Sequence, residues 1–273
     1  MELFNTYTEK NKKLKINVYF SHHEVESELD LKDKNVVVID VLRTSTTIIT
    51  GLANGAKEVI PTESIAAAGI IGRNSQEQAL LCGEKNGKLI EGFNLGNSVK
   101  EYCEENVKGK SLIFSSTNGT PALIKSKFTR SCIVLGFVNI SRVVKYLNSL
   151  GEDTIILCAG KESEFSLEDT VCAGMLISLL TSRLIAKHQY ELSDSAMGAA
   201  RLYSSYRKDL LKMMHDSEHG RYLISLGFSR DLVDCSVVDL YDILPVQRNG
   251  VIKSIEAFES DPKLAMKKVT KSA

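Results

Sequence analysis

The sequence predicts a layered α/β/α fold built from repeated strand–turn–helix units. Two observations lead there. Val36-Val37-Val38-Ile39 is apolar at every position, which suits a strand buried on both faces of a parallel sheet. The same design of apolar strand, hydroxyl-bearing or small-residue turn and helix returns at Ser111–Leu123 and at Thr154–Gly174. The 273 residues form either a single such domain or two lobes, at about 1–150 and 151–273.

Residues 1–15 are polar and lysine-rich and read as an arm. Ile16–Phe20 alternates as a short strand. His22 and His23 are adjacent, so they point in different directions on a strand or a helix. They make a poor metal pair and read as surface-loop residues. After the strand at 36–39 and its helix, Gly55–Pro61 turns into a further strand. Glu63–Gly72 is helical, with Thr62 as its N-cap and Glu63 in the first turn. Ala79–Glu84 is a short strand. Gly87–Ser98, rich in glycine and asparagine, reads as an ordered loop whose length favours function over mere connection.

Ser111–Ser115 is a strand, with Gly119 in the turn and Pro121 at an early helix position. Ser131–Gly136 is a strand, and Asn139–Leu150 a helix capped by Gly151. Thr154–Gly160 is another strand. Ser166 and Asp169 are spaced as a capping box that opens an apolar helix through Ile185. Residues 186–232 read as helical and polar. His215 and His219 share a helix face there, without a third ligand for zinc. His219-Gly220-Arg221 breaks that helix and offers a cation. Pro245 precedes a last strand, and the lysine-rich tail is solvated.

Lys+Arg and Asp+Glu both number 34, giving a formal net charge of +0. Bulk charge therefore supports neither a nucleic-acid nor a membrane-surface partner. The 6 cysteines contain no C-x-x-C pair, which argues against zinc-ribbon and thioredoxin readings. There is no signal-peptide core and no run of membrane-span length. The expectation is a cytoplasmic protein with reduced thiols and a small anionic molecule as partner, with a homo-oligomer left open.

The chemistry gathers at Asp40-Val41-Leu42-Arg43-Thr44-Ser45-Thr46-Thr47. Asp40 sits where the strand exits, the place where open α/β sheets bind ligands. Free N–H groups, the helix dipole, hydroxyls and one guanidinium converge just beyond it, and such a place attracts phosphate. One of the four hydroxyls is expected to serve only as the N-cap. A carboxylate beside an anion site calls for a divalent cation between them, or for a role as nucleophile or base. There is no G-x-x-x-x-G-K-[ST] loop. No cysteine precedes an arginine at phosphatase-loop spacing, and Leu42 stands where a D-x-D-x-T phosphatase has its second aspartate. What remains is a magnesium-dependent site on an α/β sheet, built from separate loops. Glu168 and Asp169 are either helix-start residues or a metal ligand or base.

Val37-Ile39-Asp40-Val41-Leu42-Arg43-Thr44-Ser45-Thr46-Thr47 resembles the signature of the 2-phosphosulfolactate phosphatases. Gly83-Glu84, the Gly92–Ser98 loop and Thr117-Asn118-Gly119-Thr120 resemble further motifs of that family. So do Cys158-Ala159-Gly160, Glu168-Asp169 with Cys172-Ala173-Gly174, and His219-Gly220-Arg221. The matches run in order from Val36 to Pro245. The resemblance implies Mg²⁺-dependent hydrolysis of 2-phosphosulfolactate, as in coenzyme M biosynthesis. It implies catalytic roles for Asp40, Arg43, Glu84 and Asp169, and Mg²⁺ held by Asp40, Glu168 and Asp169. It implies substrate binding by Arg43, Thr44, Ser45, Thr46, Asn97, Thr117, Asn118, Gly119, Thr120 and Arg221. The missing second aspartate favours Asp40 as ligand with direct water attack, over Asp40 as nucleophile. Two positions depart from the family pattern: Asn94 stands where aspartate is expected, and Val99 where proline is expected. Other readings are a phosphatase of another small phosphorylated hydroxy acid, and a non-catalytic binder of anionic metabolites.

Overall fold

The first strand, β1, runs over Leu14–Tyr19, so Leu14 and Lys15 of the expected arm belong to the sheet. The structure, a computed structural model, describes residues 13–75, 79–162 and 164–260; most of the arm and the lysine-rich tail lie outside them. Strand β2 (Asn35–Ile39) is buried at every position. Its side chains alternate between two cores. Val37 and Ile39 join Ile133, Leu135, Ile156 and Cys158 on one face, while Val36 and Val38 join Cys132, Val134 and Leu157 on the other. A run apolar at every position is thus a strand with a core on each side.

The chain continues through α1 (Thr44–Ala53), β3 (Glu58–Pro61) and α2 (Ile65–Asn74) to β4 (Ala79–Lys85) and the two-residue β5 (Lys88–Leu89). It then forms α3 (Glu104–Val107), β6 (Ser111–Ser115), α4 (Gly119–Lys125), β7 (Ser131–Leu135) and α5 (Ile140–Leu150). Next come β8 (Thr154–Cys158), α6 (Leu167–Leu180), β9 (Tyr190–Leu192) and α7 (Asp194–Tyr206). Helices α8 (Leu210–Asp216), α9 (Glu218–Ser225) and α10 (Ser229–Ser236) precede β10 (Pro245–Arg248), β11 (Val251–Ser254) and α11 (Ile255–Glu259). Helices α1 and α4 cover one face of the sheet through Ile48, Ile49 and Leu123. Helices α5 and α6 cover the other through Val143, Leu147, Leu176 and Ile177. The expected layered α/β/α arrangement is what the chain adopts.

The strand order is β5-β4-β6-β3-β11-β10-β7-β2-β8-β1-β9. Strands β4, β6 and β3 run parallel to one another, as do β7, β2, β8, β1 and β9. The antiparallel β10–β11 hairpin joins the two blocks, pairing antiparallel with β7 on one side and β3 on the other. The three successive antiparallel pairings set the β4–β6–β3 block antiparallel to the block that contains β2. The turn after β6 nonetheless reaches the exit of β2, where Thr44 Oγ1 donates to Ser116 Oγ at 3.2 Å.

Several expectations are corrected. The N-cap of α2 is Ser64, whose Oγ accepts from Ala67 N–H at 3.1 Å. Thr62 instead donates to Phe114 O and ties β3 to β6. Helix α6 stops at Leu180, because the apolar signal beyond it is carried by residues such as Leu184, which is 96% exposed. The stretch 186–232 is not all helix: β9 pairs parallel with β1. His215 and His219 do not share a helix, because Ser217 caps a new one between them. The chain thus breaks at Ser217, and His219-Gly220-Arg221 lies within α9. His22 is buried, with Nδ1 2.7 Å from Ala159 O, while His23 is exposed. The last strand is a hairpin of two, turned by Asn249-Gly250 with both residues at positive φ. All 6 cysteines are free thiols. Among the described residues no helix is long and apolar enough to cross a membrane.

Candidate active site

Asp40 directly follows β2 and is buried. The hydroxyl cluster after it mostly builds the turn. Asp40 N–H donates to Ser45 Oγ at 2.9 Å, Thr46 Oγ1 donates to Val41 O at 2.8 Å, and Thr47 Oγ1 donates to Asn97 O at 2.9 Å. None of the four caps α1 through its side chain, since Arg43 is the N-cap residue. Ser45 and Thr46, expected to bind substrate, are therefore turned into the protein. Thr44 is the hydroxyl of this group that lines the cleft. The Asp40 carboxylate is pressed against the start of α4: a Cβ on Gly119 would lie 2.3 Å from Asp40 Oδ2. Only glycine permits that approach.

Glu84, at the end of β4, accepts on both oxygens. Oε1 takes Thr117 N–H at 2.7 Å, and Oε2 takes Gly87 N–H at 2.6 Å. It organises two loops around the cleft. Thr117 and Asn118 line the cleft, with Asn118 Oδ1 accepting from Glu162 N–H. Thr120 does not line it; its Oγ1 accepts from Ser116 N–H. Asn97 lines the cleft, and its Nδ2 donates to Thr44 Oγ1. Its Oδ1 is buried without a donor.

Arg43 is 2% exposed and lines the cleft from within. Nη2 donates to Gly87 O at 3.0 Å, the guanidinium lies 4.8 Å from the centre of the Phe228 ring, and Nη1 is 3.7 Å from Asp231 Oδ2. Asp231 Oδ1 accepts from Ser98 Oγ at 2.6 Å. Burial pushes the Asp231 carboxyl up, against the Ser98 hydrogen bond and the Arg43 charge. Arg221 is not part of the cleft: it is exposed and donates to Asp216 O on its own side of α9.

Glu168 and Asp169 divide. Both Asp169 oxygens accept from backbone, Val41 N–H at 2.8 Å and Gly160 N–H at 3.3 Å. Asp169 thereby clamps the exits of β2 and β8 together rather than reaching the cleft. Its carboxyl is held well above the usual range by burial and by the charges of Glu168 and Asp40. Glu168 Oε1 meets His219 Nδ1 at 3.0 Å. Burial works to raise the Glu168 carboxyl, but the hydrogen bond and charge of His219 outweigh it and hold it low. Asp40 is raised to about 6, first by burial and then by the charges of Glu84 and Glu168, against Thr44 and His219.

The cleft between these loops is small, with a cavity volume of about 30 Å³. It holds Asp40, Arg43, Thr44, Glu84, Asn97, Thr117 and Asn118 together, and leaves out Ser45, Thr46, Gly119, Thr120, Glu168, Asp169 and Arg221. A sequence profile of the family described as 2-phosphosulpholactate phosphatase matches residues 19–250. The chain belongs to the 2-phosphosulpholactate phosphatase family. A "Probable 2-phosphosulfolactate phosphatase" of Caldanaerobacter subterraneus subsp. tengcongensis is 40% identical over 233 residues, covering 85% of this chain and 95% of that protein. A protein of the same description from Thermotoga maritima is 39% identical, covering 80% of this chain and 91% of its own length. One from Clostridium tetani is 34% identical, over 88% of this chain and 100% of that protein.

In this member of the 2-phosphosulpholactate phosphatase family, Asn94 stays clear of the cleft. It is exposed, and its Oδ1 accepts from Leu81 N–H at 2.8 Å, extending the pairing of β4. Val99 opens a short 3₁₀ turn and packs on the core. The cleft also contains residues to which sequence reasoning gave no role. Lys161 and Glu162 follow the Cys158-Ala159-Gly160 strand end, Asn86 and Gly87 follow Glu84, and His219 and Tyr222 come from α9. Their signal was position, since each lies within two residues of a motif already noted or inside it.

Proposed function

We propose that this chain is a Mg²⁺-dependent phosphatase that hydrolyses 2-phosphosulfolactate to sulfolactate and phosphate, a reaction of coenzyme M biosynthesis. The observation that carries the reading is the buried Asp40 carboxylate in one cleft with the unpartnered Asn97 Oδ1 and the cations Arg43 and Lys161. Family membership and the descriptions of the relatives support the substrate.

The donor set bears on the metal. Among the described residues no cluster of three or more histidine, cysteine or acidic side chains is placed to hold an ion. The set of Asp40, Glu168 and Asp169 is therefore replaced by a smaller one. Mg²⁺ keeps several waters and is commonly held by one or two carboxylates together with substrate phosphate. Asp40, with the orphaned amide oxygen of Asn97 beside Thr44, fits that habit. Charge agrees. Among the lining side chains the carboxylates of Asp40, Glu84 and Glu162 outnumber the Arg43 and Lys161 cations. Added positive charge would favour a substrate bearing phosphate, sulfonate and carboxylate beside those carboxylates. Mg²⁺ held there by Asp40 and Asn97 would supply that charge and act as a Lewis acid toward the phosphoryl group.

The protein's own groups do the rest. Thr44, Thr117 and Asn118 offer hydrogen bonds at the rim where the phosphoryl group enters, and Lys161 offers a cation for a second anionic group. Arg43, fixed by Gly87 O and the Phe228 face, presents a guanidinium whose Nε is buried without an acceptor. Glu84 keeps the two loops at the spacing this grip requires. Phosphate release from a panel of 2-phosphosulfolactate, phosphoglycolate and phospholactate tests the reading. A preference of at least tenfold in kcat/KM for 2-phosphosulfolactate is expected. Preference for another ester would move the assignment to that hydroxy acid, and ligand-induced stabilisation without turnover would make the protein a binder.

A further inference from the structure

We propose that His219 is the general acid of the reaction, giving the proton on Nε2 to the ester oxygen as the phosphorus–oxygen bond breaks, and that Glu168 is the positioning residue that fixes its ring. The proposal rests on the phosphatase reading above. A phosphorylated hydroxy acid expels an alkoxide, a poor leaving group, so protonation in the transition state is worth far more than for an activated ester.

The cleft offers few groups for that task. Both Glu84 oxygens accept from backbone N–H groups. Tyr222 OH donates to Asn86 O at 2.9 Å. Lys161 Nζ is held by Glu218 at 2.9 Å and by Glu162 at 3.5 Å. Asp40 is assigned to the cation. His219 remains, with Nδ1 engaged by Glu168 and Nε2 the nitrogen left for the cleft it lines. A buried carboxylate on one nitrogen fixes tautomer and ring orientation and stabilises the imidazolium, the arrangement general acid–base histidines use.

Local structure holds the pair rigid. Glu168 stands in the first turn of α6 and His219 in the first turn of α9. Ser217 caps α9, its Oγ accepting from Gly220 N–H at 2.9 Å. A Cβ on Gly220 would lie 1.9 Å from Met214 O, so α9 packs directly on the end of α8.

The step balances. Water forms the new phosphorus–oxygen bond, and the ester bond breaks with its electron pair on the ester oxygen, which takes the Nε2 proton. One proton of the water stays on the released phosphate, and the other passes to solvent, from which Nε2 is reprotonated.

His219→Asn and Glu168→Gln, each checked for wild-type folding by circular dichroism, are assayed on 2-phosphosulfolactate and on p-nitrophenyl phosphate, whose leaving group needs no proton. His219→Asn is expected to lower kcat on the alkyl ester by about 10²–10⁴-fold, and on the aryl ester by less than about tenfold. Glu168→Gln should show the same selectivity at smaller size, with KM little changed. The solvent isotope effect on kcat for 2-phosphosulfolactate should disappear in His219→Asn. Equal losses on both esters, or a persisting isotope effect, would overturn the role of His219 and leave the phosphatase reading intact. A wild-type protein inactive on both esters would overturn both.

Discussion

Arg43 is the residue whose environment reaches furthest. A guanidinium 2% exposed, stacked on Phe228 and 3.7 Å from a carboxylate 1% exposed, is structural as well as chemical. Removing one member of a buried pair leaves the other uncompensated, which typically costs 3–5 kcal/mol. Because this pair is long, Arg43→Ala is expected at the lower end, about 3 kcal/mol, together with loss of turnover. Denaturant titration measures it, and an unchanged midpoint would mean the pair carries no stability. Asp40 was legible as a site residue because a carboxylate after a buried strand has nowhere to go but the sheet edge. The inward turn of Ser45 and Thr46 was not legible, since their partners are the N–H and C=O groups of Asp40 and Val41 rather than a ligand.

Most elements were readable from local pattern. Strands β2, β6 and β8 announced themselves by apolar runs, and α5 by its Gly151 cap. Strand β9 has three residues and its identity depends on pairing with β1, far away in sequence, so no local signal marks it. The β10–β11 hairpin did carry a signal, Asn249-Gly250, the pair that a tight hairpin turn demands. The loop after β4 yields a prediction at this scale. Asn94 Oδ1 serves only as an acceptor for Leu81 N–H at an exposed position. Aspartate can accept there equally well, so Asn94→Asp should change stability by less than about 0.5 kcal/mol and kcat/KM by less than about twofold. A large gain in activity on that substitution would instead place position 94 in the chemistry.

Across the whole molecule, the placement of β4 and β6 relative to β2 depends on a hairpin about two hundred residues downstream of β2, a long-range arrangement invisible to any window of sequence. The resemblance to a family bridged that gap, because its motifs contain Asp40, Glu84, Asn97, Thr117 and His219, which lie far apart in sequence yet line one cleft. The global fold also carries a pH signature. Burial depresses His22, helped by the charges of His23 and Lys125 and opposed by the hydrogen bond with Ala159 O. The unfolded chain therefore binds this proton more readily, and the stability tied to neutral His22 is lost as pH falls through about 6.5. His22→Gln keeps a donor but cannot titrate, so the Tm advantage of the wild type should shrink between pH 7.5 and 5.5; a constant gap would contradict the buried neutral ring. The most direct test of the central claim is phosphate release from 2-phosphosulfolactate with Mg²⁺, after EDTA, and after Mg²⁺ is restored. Release that stops with EDTA and returns with Mg²⁺, and is absent in Asp40→Asn, is the predicted result. Release unaffected by EDTA, or retained by Asp40→Asn, would contradict a cation site built on Asp40.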